Sequence, residues 1–265
     1  RREQSITGHG HGLAMTAASA GMSPVGKISH KLSGLESIRH LKQLDQSLQQ
    51  KKSLDEFIST LISIHEKIRQ APKQFLLIGD DEKLNDYYQS LQQHWHPAAE
   101  NKHFVPFTLA PVSEQIHQAW ITNTQVNFCA KAYPTVSADH PDAAALTVLG
   151  GFLRNGYLHR AIREQGGAYG GGAGQDHQSG SFRFYSYRDP RFTETFADFD
   201  HSIDWLLNEA HSEQSLEEAI LGVIGSLDKP GSPAGEAKST FHAELFGRTK
   251  EKREISRQRI LNVSI

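Results

Sequence analysis

Apolar and polar residues follow helical spacing in the first part of the chain. Apolar residues recur every third position within residues 34–49, which predicts an amphipathic helix. Residues 53–69 carry a second apolar stripe, and Ser53 with Glu56 has the spacing of a capping box, so this helix is expected to begin at Ser53. These patterns place two helices in succession.

One strand, one further helix and a linker are predicted next. The apolar run within residues 73–79 predicts a buried strand. Asp80 is placed to cap a helix that ends near His96. The stretch 97–111 contains three prolines and no sustained period, which predicts a linker.

After this linker the pattern indicates strands and longer helices. Alternation over residues 124–134 predicts a half-buried strand whose inward positions are Val126, Phe128, Ala130 and Ala132. A long helix over 141–165 is ended by two glycines, and residues 168–174 and 181–187 predict a hairpin. Further helices are predicted from about 191 and near 215–228, 234–247 and 249–262. The fold class is therefore α+β, with helices packed on a sheet rich in antiparallel strands.

Composition and charge exclude several classes of partner. Hydrophobic residues make up 37% of the 265, and 28 Lys and Arg against 30 Asp and Glu give a formal net charge of −2. The longest apolar run, residues 75–78, is far shorter than the roughly 20 residues of a membrane-spanning helix. We therefore expect neither a nucleic-acid partner nor a membrane partner.

The single cysteine and the first residues bear on the compartment. Cys129 excludes an intrachain disulfide, and its place in an alternating apolar segment predicts a buried packing residue. Residues 1–5 are partly basic, but no apolar stretch of a signal peptide follows them. The cytoplasm is expected rather than export, and the chain is expected to begin inside a longer protein.

Fifteen histidines raise the question of a metal site. A zinc-binding helix needs two histidines on one face beside a general base, as in His-x-x-Glu-His or His-Glu-x-x-His, and neither pattern occurs. The nearest approach, at His65, places Arg69 where the second ligand would be. His9 and His11 remain as a weak chelating pair that glycines flank, and we expect this chain to bind no metal.

One pair of polar residues stands out once other chemistry is excluded. The glycines of 166–174 follow a helix and enter a strand, opposite to the order of a phosphate-binding loop, and no Gly-x-Ser-x-Gly motif occurs. Arg163 at a helix end and Tyr169 after the glycine reversal can place a guanidinium and a phenol in one space. Such donors suit carbonyl or carboxylate oxygens, although Arg163 paired with a glutamate and Tyr169 in simple packing would also fit.

Longer motifs around this pair resemble a known family. YLHRAIREQGGAYGGGAG (157–174) and SFRFYSYRDP (181–190) are similar to the fourth domain of the presequence-protease branch of the pitrilysin (insulinase) zinc metallopeptidases. LEEAILGVIGSLDKPGSP (216–233) extends this similarity, and GHGLAMTAASAGMSP (10–24) resembles the third domain.

The resemblance implies two partial repeats of a pitrilysin-type peptidase. Residues 1–96 would be the C-terminal portion of the third domain, 97–120 a linker, and 121–265 a fourth domain without its last strand and helix. Family members carry their zinc motif in the first domain, so zinc belongs to the intact enzyme. This chain alone is expected to be inactive and to have the N-terminal catalytic half as its partner.

The resemblance also implies roles for named residues. Arg163 and Tyr169 would reach the backbone of an unstructured peptide substrate near the scissile bond, with Gly167, Ala168 and Gly170 as further substrate contacts. The alternative is an inactive peptide-binding or scaffold subunit beside an active peptidase. An organellar matrix is expected if the source is eukaryotic.

Overall fold

The computed structural model describes residues 5–95 and 107–265, which fall into two compact units. The first unit comprises residues 1–40, 109–229 and 251–265, and the second comprises residues 41–108 and 230–250. The predicted domains 1–96 and 121–265, with a linker at 97–120, stay a prediction. Of that linker, residues 97–106 lie outside the described residues.

The elements alternate between helices and a small sheet. The α-helices are α1 (Ser5–Ala18), α2 (Pro24–Ser33), α3 (Leu35–Ser47), α4 (Lys51–Gln70), α5 (Asp81–His94), α6 (Ala143–Leu153), α7 (Thr193–Asn208), α8 (Glu213–Leu227), α9 (Pro233–Leu245) and α10 (Lys250–Leu261). A π-helix, π1, spans Arg154–Gln165. The strands are β1 (Ala130–Pro134), β2 (Gly170–Asp176) and β3 (Ser181–Tyr187). These elements confirm the α+β class.

The sheet of the first unit is antiparallel, in the order β1-β3-β2. Ala130 lies opposite Tyr185 in the β1–β3 pair, and Gly170 lies opposite Tyr187 in the β2–β3 pair. The predicted hairpin is therefore confirmed. A single bridge between Asn127 and Asp189 continues the β1–β3 pairing beyond the end of β3.

The main core lies on one face of this sheet. Phe182 and Phe184 of β3 point to the same face because strand side chains alternate. The ring centroid of Phe184 lies 5.6 Å from that of Phe199 on α7, and both side chains are fully buried. Leu158 and Ile162 of π1 complete this cluster.

Helix α1 covers the opposite face, and the hydrophobic pattern did not predict it. Its residues are mostly small, so they form no apolar stripe with helical spacing. Small residues allow close approach: a Cβ atom on Gly10 would lie 2.5 Å from the ring of Phe128. Phe128 therefore faces α1, whereas Cys129 belongs to the main core, so the predicted inward face of residues 124–134 is only one of two covered faces.

The predicted helix over 141–165 is confirmed in extent but changes type at residue 154. Residues Ala143–Leu153 are α-helical, and Arg154–Gln165 form a π-helix, in which hydrogen bonds join residues five apart. Buried Leu158 and Ile162 are four residues apart, a spacing that also fits an α-helix. The apolar pattern therefore gave no sign of the wider turn.

Most other helices confirm their predictions, but two local features differ. Helix α4 begins at Lys51 with Gln50 at its N-cap, so the predicted capping box at Ser53 and Glu56 is wrong. Asp80 occupies the N-cap of α5 as predicted, although its side chain makes no capping hydrogen bond.

The predicted buried strand at 73–79 is also wrong. Residues 72–78 are extended but have no strand pairing within the described part of the chain, and Phe75 is 46% exposed. The second unit also exposes apolar side chains along α4, at Leu54, Ile58, Leu61, Ile62, Ile64 and Ile68. An apolar run forms a buried strand only when neighbouring strands supply hydrogen bonds and a packing face.

Cys129 should resist alkylation in the folded chain. Burial raises the pKa of its thiol to about 11, so little thiolate is present at pH 8. We expect a single iodoacetamide adduct to form in 6 M guanidinium chloride and none under native conditions, as measured by mass spectrometry.

The same shift has a pH signature. The unfolded thiol ionises near pH 9 while the folded thiol stays protonated, so this group's contribution to stability is lost as pH rises from about 9 to about 11. Cys129→Ala should reduce the loss of stability over that range. Fast native alkylation at pH 8 would contradict the buried position.

Candidate functional site

The candidate site lies where π1 ends and β2 begins. The N–H of Gly167 donates to the carbonyl oxygen of Arg163 at 3.1 Å, and the N–H of Ala168 donates to that of Ile162 at 3.1 Å. Each bond spans one residue more than in the Schellman motif of α-helices, as the wider π turn requires. Gly167 has φ +76°, the left-handed conformation in which glycine ends helices.

Gly166 permits a close approach to the segment that follows β3. A Cβ atom there would lie 1.9 Å from Nη2 of Arg191 and 2.5 Å from the carbonyl oxygen of Ile162. The same Nη2 donates to the carbonyl oxygen of Ala161 at 3.2 Å and lies 2.8 Å from the carboxylate of Asp198. The end of π1 is therefore held against Arg191, and this contact requires glycine at 166.

Tyr169 is presented at the surface by backbone bonds to the end of β3. Its N–H donates to the carbonyl oxygen of Tyr187 at 3.0 Å and to that of Arg188 at 3.4 Å. Its side chain is 67% exposed, and its ring meets the Tyr187 ring edge to face, with centroids 5.6 Å apart. The phenol is therefore open to a ligand while its backbone is fixed.

Arg163 occupies the last turn of π1, and its side chain is exposed. Among the described residues its guanidinium makes no ion pair or hydrogen bond. The neighbouring Glu164 instead lies 3.3 Å from Nδ1 of His159, five residues earlier, a pairing that the π-helical turn allows. The alternative in which Arg163 pairs with a glutamate is thus not seen within residues 5–95 and 107–265.

Aromatic rings extend the site along the outer face of β3. The ring of His11 lies 4.8 Å from that of Tyr187 and 5.5 Å from that of Tyr185, and Phe128 also contacts Tyr187. Burial, with a smaller contribution from nearby His9, lowers the pKa of His11. His11 therefore packs as a neutral ring between α1 and the sheet, which is a poor geometry for the chelating pair considered from sequence.

The other predicted substrate contacts differ in accessibility. Gly167 is exposed, and a Cβ on Gly170 would meet no atom within 4 Å, so both positions border open space. Ala168 is 3% exposed, and its N–H is already bonded to Ile162. A contact from Ala168 to a peptide would have to use its carbonyl oxygen. These substrate contacts stay a prediction.

The residues do not fit a zinc site. Within residues 5–95 and 107–265, no group of three or more His, Cys, Asp or Glu side chains could hold a metal ion. None of the helices in these ranges is long and apolar enough to cross a membrane.

Comparison with family models gives the family of the chain. The model described as the PreP C-terminal domain matches residues 117–265, which include Arg163, Tyr169 and the whole sheet. The chain belongs to this family. A second model, described as a peptidase-associated region, matches residues 1–44.

Similar proteins carry the name presequence protease. Those of Kluyveromyces lactis and Drosophila melanogaster, both named mitochondrial, are 31% and 32% identical over 98% of this chain. Presequence protease 1 of Arabidopsis thaliana, named chloroplastic/mitochondrial, is 28% identical over 100% of it. The chain spans only 27%, 25% and 24% of these three proteins. Among solved structures, the periplasmic protease PqqL of Escherichia coli is 15% identical with a TM-score of 0.46, over 85% of this chain and 30% of that one.

Gly166→Ala should destabilise the chain by about 1–3 kcal/mol, because the added methyl group must displace Arg191 or the π1 backbone. Gly170→Ala is the matched control: its methyl group enters open space, and we expect a change within about 1 kcal/mol. Urea unfolding measures both. Equal effects of the two substitutions would show that the Gly166–Arg191 contact does not constrain the turn.

Proposed function

We propose that this chain is the non-catalytic, substrate-enclosing part of a zinc metalloendopeptidase that degrades unstructured peptides. The family match and the presequence-protease names of its relatives support a peptidase context. The described residues provide no zinc ligand set, so zinc would be held by a catalytic half outside this chain. The relatives' organellar names favour a mitochondrial or chloroplast matrix for a eukaryotic source, and the cytoplasm otherwise.

Arg163 and Tyr169 are proposed to bind the peptide backbone near the scissile bond. The observation that carries this proposal is the exposed, unpaired state of both polar groups on a rigid turn. A guanidinium and a phenol can both donate hydrogen bonds to a carbonyl oxygen. Donors fixed in advance stabilise negative charge that develops on such an oxygen during amide cleavage.

Peptidase activity is expected only when the two halves are combined. The chain alone, and the chain mixed with the zinc-binding N-terminal half of a presequence protease, would be assayed with an unstructured fluorogenic peptide. Cleavage confined to the mixture would support the proposal. Peptide binding without cleavage in the mixture would favour the inactive scaffold, and stoichiometric zinc on the chain alone would favour a metal-binding domain.

Arg163→Ala and Tyr169→Phe should each lower kcat/KM of the active mixture by on the order of 10²-fold, the usual effect of losing one such donor. Arg154→Ala and Tyr133→Phe are matched controls, since Arg154 begins π1 and Tyr133 lies near the end of β1 that is farther from the π1–β2 turn. We expect the controls to retain activity. Unchanged kcat/KM in Arg163→Ala and Tyr169→Phe would refute the site assignment.

A further inference from the structure

Arg188 has an unusual backbone conformation. Its φ is +50°, and among the described residues it is the one non-glycine residue with positive φ. This left-handed region is disfavoured for residues with a Cβ atom, and glycine and asparagine occupy it most readily. A long charged side chain at such a position points to a use for that side chain, because a smaller residue would satisfy the backbone better.

The conformation of Arg188 is imposed by the residue that follows it. Asp189 is fully buried and exchanges two backbone hydrogen bonds with Asn127, at 2.7 and 2.9 Å. Its carboxylate accepts from the N–H of Arg191 at 2.9 Å and from the hydroxyl of Thr195 at 2.7 Å. These bonds fix the chain immediately after Arg188.

The Arg188 side chain is exposed and keeps its hydrogen-bond donors available. Its Cζ atom lies 5.3 Å from the centre of the Tyr187 ring, a cation–π contact. Within the described ranges its guanidinium has no carboxylate partner, and both oxygens of the adjacent Asp189 are engaged elsewhere. A guanidinium stacked on a ring still presents its N–H groups at its edge, where they can bind a carboxylate.

Tyr187 links this guanidinium to the candidate site. Its ring contacts Tyr169 on one side and Arg188 on another, and Tyr169 donates its N–H to the carbonyl oxygens of both residues. The phenol of Tyr169 and the guanidinium of Arg188 therefore belong to one fixed surface.

We propose that Arg188 binds a carboxylate of the peptide while Arg163 and Tyr169 contact its backbone. The proposal rests on the function proposed above. The carboxylate could be the C-terminal one or that of an acidic side chain, since both offer the same pair of oxygen atoms to a guanidinium.

Four fluorescent peptides with one unstructured sequence distinguish the two sources. One pair differs in a free or amidated C-terminus, and the other pair differs in an internal Glu or Gln. Fluorescence anisotropy would give Kd for the 265-residue chain. We expect the carboxylate form of one pair to bind about 3- to 10-fold more tightly, less so in 0.5 M salt. The pair that shows the difference identifies the source.

Arg188→Asn should remove this preference without loss of stability, because asparagine tolerates positive φ. Arg188→Lys, which keeps the charge but not the forked donors, should retain part of it. Arg154→Asn, an exposed arginine at the start of π1, should retain all of it. A merely structural Arg188 would give the opposite result, with stability changed and the preference kept.

Three results would contradict the proposals, and they differ. Equal affinity of the unsubstituted chain for all four peptides, or a preference that survives Arg188→Asn, overturns the role of Arg188 alone. Peptide binding that is unaffected by Arg163→Ala and by Tyr169→Phe overturns their role as backbone contacts. A chain that binds none of the four peptides contradicts both.

Discussion

The buried carboxylate of Asp189 is the interaction on which the candidate site depends. It accepts hydrogen bonds from Thr195 at the start of α7 and from the backbone of Arg191, while its own backbone pairs with Asn127 beside β1. Leaving such buried donors unpaired would cost about 1–3 kcal/mol each. The exit of β3, the start of α7 and the approach to β1 therefore meet at one residue.

Arg191 transmits this constraint to the end of π1. Its guanidinium joins the carboxylate of Asp198 to the carbonyl oxygen of Ala161, and it fills the space that a side chain at Gly166 would need. The glycine turn that leads to Tyr169 is consequently packed rather than free. Preorganisation of this kind lets exposed donors act without the entropic cost of ordering a loop.

The two units show opposite outcomes for apolar sequence. In the first unit, the aromatic residues of β3 and α7 pack into a closed core with Phe199 at its centre. In the second, the apolar residues of α4 and of segment 72–78 stay exposed. Local sequence favours extended or helical backbone in both units. Burial depends on whether partner elements are present, and a periodic pattern carries no information about them.

Helix positions, the hairpin and the α+β class could be predicted from sequence, because periodicity and glycine or proline punctuation act over a few residues. Arg163 and Tyr169 were also identified this way, since helix, reversal and strand are local. The small-residue helix α1, the π-helical turn and the left-handed Arg188 were not, because close packing and buried hydrogen bonds between distant segments decide them. The sequence by itself determined which donors are present. Only the tertiary structure decided that Arg188 joins them, since Asn127, Tyr187 and Thr195 come together only in the folded chain.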